Sequence, residues 1–91
     1  MPKYVMLTLD LERGVSEENR QKFYAKLKEL LWTKIPKVTT TWKCSWAESQ
    51  SEDTIRRVVQ NDLTAAAAQA GSPQYHAVAM IGDAPPATFT S

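Results

Sequence analysis

The chain has 91 residues, a length that fits one small domain. Eleven Lys and Arg nearly balance ten Asp and Glu, so the net charge of +1 excludes the strong positive field that by itself indicates nucleic-acid binding. The single cysteine excludes an internal disulfide, and no apolar run is long enough to cross a bilayer. This composition is typical of a cytoplasmic globular protein that has no membrane partner.

The segment KYVMLTLDL predicts the first strand, because its apolar residues recur with a period of two. The set expected to face the core is Val5, Leu7, Leu9 and Leu11. The set expected to face the other side of the sheet is Tyr4, Met6, Thr8 and Asp10. Gly14 then marks a turn that ends the pattern.

The first helix is predicted over residues 17–30. Ser16 is a suitable N-cap, and Glu17 and Glu18 lie near the positive end of the helix dipole. Four apolar residues recur at helical spacing and form one stripe: Phe23, Leu27, Leu30 and Leu31.

The next stretch, WTKIPKVTTTWKCSW over residues 32–46, contains the only cysteine and two tryptophans. Pro36 favours a split into a short strand over 32–35, a turn over 36–38 and a longer strand over 39–47. In the longer strand Trp42, Cys44 and Trp46 share the core face. The alternative is one continuous strand after a longer helix, and Pro36 argues against it because proline fits poorly inside a central strand.

A second helix follows, for which Ser51 is the predicted N-cap and Ser49 with Glu52 a rival capping box. Gly71 ends this helix, and Pro73 lies beyond it. The segment QYHAVAMIG predicts the last strand, although the pattern leaves open which way its residues point. Residues 85–91 form a tail, where Phe89 is placed to contact the body or a partner.

The predicted order is β-α-β-β-α-β, which on about 90 residues indicates an α+β, ferredoxin-like sandwich. One domain spans residues 1–84, and an antiparallel sheet carries both helices on one face. The other face is open to a second copy or a ligand. Its predicted residues are Tyr4, Met6, Thr8, Thr41, Lys43 and Ser45.

Asp10 is the candidate for a catalytic and metal-binding residue, because a carboxylate at the end of a strand is well placed to hold a metal ion. Mg²⁺ takes one or two carboxylates and keeps several waters, so one Asp10 from each subunit of a symmetric dimer would supply a pair. Glu12 and Asp83 are further carboxylates, whose distance from Asp10 the sequence does not fix. The alternative is an Asp that starts a turn by accepting hydrogen bonds from the next backbone amides.

Two other residues have the chemistry of an active site. Cys44 would need a nearby base to act as a nucleophile, and His76 is the only histidine. Structural zinc needs about four ligands at short spacings, which one Cys and one His do not supply. We therefore interpret Cys44 as an inert core residue. For His76 a general base and a hydrogen-bonding residue at the sheet edge both stay open.

A phosphate-binding patch is a further possibility. Lys34, Lys37 and Lys43 are the candidate nucleic-acid-binding residues, together with Arg56 and Arg57. The aromatic residues able to stack bases, if they lie on the open face, are Tyr4, Trp42 and Tyr75. The alternative is an ordinary solvated surface, which the predicted burial of Trp42 favours.

The chain resembles the small ferredoxin-like proteins grouped with the CRISPR-associated adaptation nucleases and the VapD and GhoS toxin–antitoxin ribonucleases. The resemblance lies in the stretch YVMLTLDLE, the helix after it and the stretch WTKIPKVTTTW that follows. The resemblance is architectural over most of the chain, and Asp10 is its motif-like residue. It implies a homodimer formed through the sheet. In metal-dependent members the corresponding Asp is the catalytic candidate.

Two functional hypotheses follow. The first is a dimeric, metal-dependent ribonuclease or toxin–antitoxin component that acts on RNA with Mg²⁺ held by Asp10. The second is a non-catalytic homodimer that binds a protein partner or a small ligand through the open sheet face. Near-neutral charge and the lack of a dense carboxylate cluster favour the second, and the resemblance favours the first.

Overall fold

The computed structural model describes residues 3–35, 41–46, 50–84 and 87. These residues form two helices and four strands in the predicted order. The elements are β1 (Lys3–Leu11), α1 (Glu17–Glu29), β2 (Thr33–Lys34), β3 (Thr41–Trp46), α2 (Glu52–Gln69) and β4 (Tyr75–Gly82).

The strands form one antiparallel sheet in the order β2-β3-β1-β4. Both helices lie on the same face of this sheet, because their apolar residues join the core residues of β1 in a single cluster. The fold is therefore α+β with a ferredoxin-like arrangement, as the sequence predicted.

β1 is the central strand, and its alternation is as predicted. Val5, Leu7 and Leu9 are at most 2% exposed, and burying each such side chain stabilises the fold by roughly 1.5–3 kcal/mol. Leu11 packs against the same core at the end of the strand. Asp10 lies on the opposite face and is exposed. The strand thus separates a buried side from an open one.

α1 begins at Ser16, whose Oγ accepts a hydrogen bond from the Asn19 N–H at 3.1 Å. It ends one residue earlier than predicted, where the Trp32 N–H donates to the Leu27 carbonyl at 2.9 Å. This ending places Leu31 at φ +73°, a left-handed conformation that usually takes glycine. The prediction that Leu31 belongs to the apolar stripe is wrong, because the turn rotates its side chain outward to 80% exposure.

The stretch over residues 32–46 forms two strands rather than one. β2 pairs with β3 so that Thr33 lies opposite Lys43 and Lys34 opposite Trp42. The Ile35 N–H donates to the Thr41 carbonyl at 3.0 Å, which continues the pairing beyond β2. The split is confirmed; β2 is shorter than the predicted 32–35, and β3 occupies every described residue of the predicted 39–47. The predicted turn at 36–38, which includes Lys37, lies outside the described residues.

α2 begins at Ser51, whose Oγ accepts the Thr54 N–H at 3.1 Å, so the predicted N-cap is confirmed. The rival cap, Ser49, lies outside the described residues. The helix ends before Gly71, which adopts φ +82° as the predicted C-terminal signal requires. Neither described helix is long and apolar enough to cross a membrane. The predicted tail at 85–91 lies outside the described residues except for Ala87.

Two buried tryptophans differ in how their indole N–H groups are satisfied. Trp32 is 2% exposed, and its Nε1 donates to Asp62 Oδ2 at 2.8 Å. Trp42 is fully buried, and among the described residues its Nε1 has no hydrogen-bond partner. A buried donor without a partner costs about 1–3 kcal/mol, so Trp42 keeps its place through packing alone. Its ring lies 5.4 Å from the Tyr24 ring, centroid to centroid.

This difference predicts that Trp32→Phe destabilises the protein more than Trp42→Phe. Both changes remove similar apolar area, but the first leaves the Asp62 carboxylate without its donor, while the second removes an unsatisfied N–H. We expect the free energy of unfolding to fall by about 1–2 kcal/mol more for Trp32→Phe. Urea unfolding followed by far-ultraviolet circular dichroism measures both. Equal losses, or a larger loss for Trp42→Phe, would contradict this account.

Candidate functional site on the open sheet face

The open face of the sheet is the side that carries no helix, and the strand register determines which residues lie on it. Met6 on β1 lies opposite Lys43 on β3 and Met80 on β4. Opposed residues in a sheet point to the same side, so all three project from the open face. The same rule gives the complete set: Thr33, Thr41, Lys43, Ser45, Tyr4, Met6, Thr8, Asp10, His76, Val78 and Met80.

These side chains are not mixed evenly. The half built by β2 and β3, here called the polar half, carries Thr33, Thr41, Lys43 and Ser45. The half built by β1 and β4 carries Tyr4, Met6, Val78 and Met80, here called the apolar half, and then Thr8, Asp10 and His76 toward its other end. Val78 is 70% exposed and Met80 67% exposed, although both are large apolar side chains. A cluster of this kind on a small domain is typical of a contact surface.

The apolar half contains a hollow of about 320 Å³ beside Tyr4. Gly82 lies opposite Tyr4 and has no side chain, so the space between the strand end and Ala84 stays empty. Met6 and Met80 line the other side of the hollow. Methionine is flexible and polarizable, which suits a surface that accommodates an apolar side chain from a partner.

Asp10 and His76 lie directly opposite each other at the far end of the open face. Both residues are exposed. The sequence left the direction of His76 open, and the register now puts it on the same face as Asp10. A carboxylate beside an imidazole is able to orient the ring or to share a proton with it. Among the described residues, no group of three or more His, Cys, Asp and Glu is arranged to hold a metal ion.

The two additional carboxylates do not gather around Asp10. Asp83 lies at the opposite end of β1, where its Oδ1 accepts a hydrogen bond from Lys3 Nζ at 2.6 Å. Asp10 lies seven residue steps along the strand from Lys3, a distance of about 23 Å. The bond to Asp83 raises the pKa of Lys3, and the same bond lowers the pKa of Asp83. Glu12 accepts the Gln74 N–H at 3.2 Å and so helps to fix the start of β4.

The candidate basic residues lie on different sides of the sheet. Lys43 is exposed on the open face, whereas Lys34 faces the helix side, with its Nζ 4.9 Å from the centre of the Tyr24 ring. A cation over an aromatic ring stabilises the fold modestly and is not free to meet a phosphate. Arg56 and Arg57 are exposed on α2, on the helix side, and Lys37 lies outside the described residues. The described basic residues therefore do not form one patch.

Of the three aromatic candidates for base stacking, only Tyr4 lies on the open face. Trp42 is fully buried in the core. Tyr75 packs against Phe23 edge to face, with ring centroids 5.8 Å apart. A stacking platform for several bases is not assembled from these residues.

Cys44 lies on the core face of β3, half-buried and packed against the hydrophobic cluster, as predicted. Burial raises the pKa of its thiol above the ordinary value. His76 projects from the opposite face of the sheet, so it is not placed to deprotonate Cys44. Cys44 and His76 are residue types that serve as nucleophile and base, but they lie on opposite faces of the sheet and do not form such a pair.

Sequence reasoning missed two features of this surface. It did not assign Val78 and Met80 to the open face, because both alternate sets of β4 are apolar or small and show no contrast. It also missed that β4 is poorly covered on its helix side, where Ala79 is exposed. The face on which each β4 residue lies follows from its antiparallel partner on β1. This register is a property of the folded sheet and not of the β4 sequence.

Comparison with known proteins supports the fold. No model of a protein family matches the sequence, and no curated protein matches it. The solved structures include one that is similar, the X-ray crystal structure of protein SP2199 from Streptococcus pneumoniae, with 15% sequence identity and a TM-score of 0.53. The likeness covers 92% of this chain and 88% of that one. At this level of identity it shows a shared fold alone.

The environment of Cys44 predicts slow alkylation in the folded protein. Only the thiolate reacts with iodoacetamide, and both burial and the raised pKa keep it scarce near pH 8. We expect the folded protein to react roughly tenfold more slowly than the same chain unfolded in urea. The rate should keep rising with pH beyond the range in which an ordinary thiol reaches its plateau, because the pKa of Cys44 is raised. Equal rates for folded and unfolded chains would contradict the proposed burial.

Proposed function

We propose that this protein is a non-catalytic, homodimeric binding module that captures a protein partner on the apolar half of its open sheet face. One observation carries the proposal: Val78 and Met80 are about two-thirds exposed on the apolar half, and Met80 lines a hollow of about 320 Å³ together with Met6 and Tyr4. Tyrosine and methionine are enriched in the cores of protein interfaces. Burying exposed apolar area of this kind against a partner supplies the main driving force for association.

The charges around this surface favour a protein partner over a nucleic acid. Lys43 is the one Lys or Arg among the described residues of the open face, and Lys34 is turned toward Tyr24. Nucleic-acid binding depends on several basic residues contacting phosphates together, and the described residues do not supply such a group. A protein segment that offers an apolar side chain to the hollow and a carboxylate to Lys43 fits the surface better.

We also place the module in the cytoplasm. Its single cysteine is half-buried and forms no disulfide within the chain, as is usual in a reducing compartment.

A second candidate function is metal-dependent cleavage of RNA, as in a toxin–antitoxin ribonuclease. The observation that favours it is the exposed Asp10 on the open face, with His76 opposite. Asp10 would contribute a carboxylate to Mg²⁺, and a second ligand would have to come from another subunit. The separation of Asp83 and of Lys34 from this end of the face weighs against a complete site within one chain.

The module proposal predicts that a partner crosslinks from position 80. We expect a photoreactive phenylalanine derivative at Met80 to form an adduct with one protein in cells, and the same derivative at exposed Lys28 on α1 to form none with it. The partner, once identified and purified, should bind Met80→Lys at least about tenfold more weakly than the unchanged chain. Isothermal titration calorimetry measures the affinity.

The control for this experiment is Gln21→Lys, which adds the same charge at an exposed residue of α1. It should bind the partner normally. The same adduct from positions 28 and 80, or unchanged affinity in Met80→Lys, would remove the apolar half from the binding surface.

The ribonuclease candidate makes a separate prediction. It requires that labelled RNA is cleaved in the presence of Mg²⁺, and that Asp10→Asn lowers the rate by roughly a hundredfold or more because a metal ligand is lost. Asp83→Asn is the matched control, since Asp83 lies at the other end of the sheet, and it should cleave as fast as the unchanged protein. Intact RNA, or equal rates for Asp10→Asn and the unchanged chain, would exclude a catalytic role for Asp10.

A further inference from the structure

β4 forms one edge of the sheet and has none of the features that normally protect an edge. It pairs with β1 on one side, and no other described strand pairs with its outer side. The strand has eight residues, YHAVAMIG, without Pro, Lys, Arg, Asp or Glu. The edge at the other end of the sheet, β2, has only two residues. A long, uncharged edge strand presents free backbone N–H and C=O groups that favour pairing with another strand.

The helix side of β4 is also incompletely covered. A groove of about 290 Å³ runs between β4 and α2, with Ala77, Ala79 and Ile81 on its strand side. Val59 and Leu63 of α2 contribute apolar wall, and Glu52, Arg56 and Gln60 form the polar rim. Ala79 is exposed even though it points to the side that carries the helices. An added strand would therefore find a groove with apolar walls and a polar rim for every second side chain.

The sequence of β4 is complementary to itself about Ala79. In an antiparallel pair centred on that residue, Ala77 lies opposite the partner's Ile81, and Val78 opposite the partner's Met80. His76 lies opposite the partner's Gly82. Each large side chain meets a smaller one, no like charges oppose each other, and every residue keeps its own face of the sheet.

We infer that two copies of this chain pair through their β4 edges, antiparallel and centred on Ala79, into one continuous eight-stranded sheet. This inference rests on the homodimer of the proposed function and identifies its interface. The partner's Ile81 enters the groove beside Ala77, on the side of α2. A two-fold axis through Ala79 closes the assembly, because each subunit uses the one long edge strand among its described strands.

The size of this contact sets the expected strength of the dimer. About ten residues a side take part, counting the strand and the polar rim of the groove, against 20–30 in a standard interface. The interface is therefore small, and we expect a dissociation constant in the micromolar range. Association should depend clearly on protein concentration.

The geometry has two consequences for the open face. The apolar halves of the two subunits meet at the axis, so Val78 and Met80 of both chains form one larger binding surface. The two Asp10 residues, in contrast, lie about 25 Å apart, given three strand spacings across the sheet and six residues along it. They are then too far apart to share one Mg²⁺.

Ala79→Lys tests the inference, because it places two like charges opposite each other at the axis. Sedimentation equilibrium from about 1 to 500 µM should show a monomer–dimer equilibrium for the unchanged chain and a dissociation constant at least about tenfold higher for Ala79→Lys. Ala79 is exposed, so the variant should fold, which its circular dichroism spectrum checks. Thr8→Lys, an exposed change on β1 of the open face, should dimerise like the unchanged chain.

A crosslinking experiment tests the same interface without weakening the dimer. In a chain carrying Cys44→Ala, Ala79→Cys should form a disulfide-linked dimer under mild oxidation, and Thr8→Cys should form no disulfide-linked dimer. Loss of dimer in Thr8→Lys with dimer retained in Ala79→Lys would overturn the edge interface while keeping a homodimer, formed face to face. A monomeric unchanged chain at all concentrations would overturn the edge interface and the homodimer together.

Discussion

The period of two on β1 is the constraint on which the rest of the structure depends. β1 is central, and both its neighbours are held to it residue by residue, so the face of each β3 and β4 side chain follows from its partner on β1. Val5, Leu7 and Leu9 fill the space under the helices. A slip of one residue would move this apolar set into water and bury Thr8 and Asp10 instead, at a cost of several kcal/mol.

With that register fixed, one strand acquires two roles. β4 supplies Val78 and Met80 to the apolar half of the open face, and it also presents the long free edge. The first role arises because no helix covers the open face, and the second because β4 is the last strand of the sheet; on the helix side α2 also leaves Ala79 exposed and the groove open. The proposed partner binding and the proposed self-association therefore both involve β4.

Local sequence patterns predicted the elements in which apolar and polar residues contrast strongly. The alternation in β1, the caps at Ser16 and Ser51, and the division between β2 and β3, for which Pro36 is the sequence signal, each have a local physical cause that is legible in the sequence. Other features depend on the folded register. The face of Lys34 is set by its pairing opposite Trp42, since β2 is too short to show a period. His76, Val78 and Met80 lie in a strand whose two sides are similarly apolar. Leu31 left the predicted stripe because helix termination, rather than periodicity, fixes its backbone.

The competing functions differ in what they require of the dimer. A shared metal site needs two Asp10 carboxylates within a few ångströms, which demands that the open faces stack on each other. Stacking would also bury Val78 and Met80 between the copies and leave no surface for a third molecule. Edge pairing does the opposite, because it separates the two Asp10 residues and joins the apolar halves into one exposed surface. The unprotected edge of β4, with its uncharged sequence and the adjoining groove, favours edge pairing. The arrangement of the dimer is thus the physical variable that decides between catalysis at Asp10 and binding at Met80.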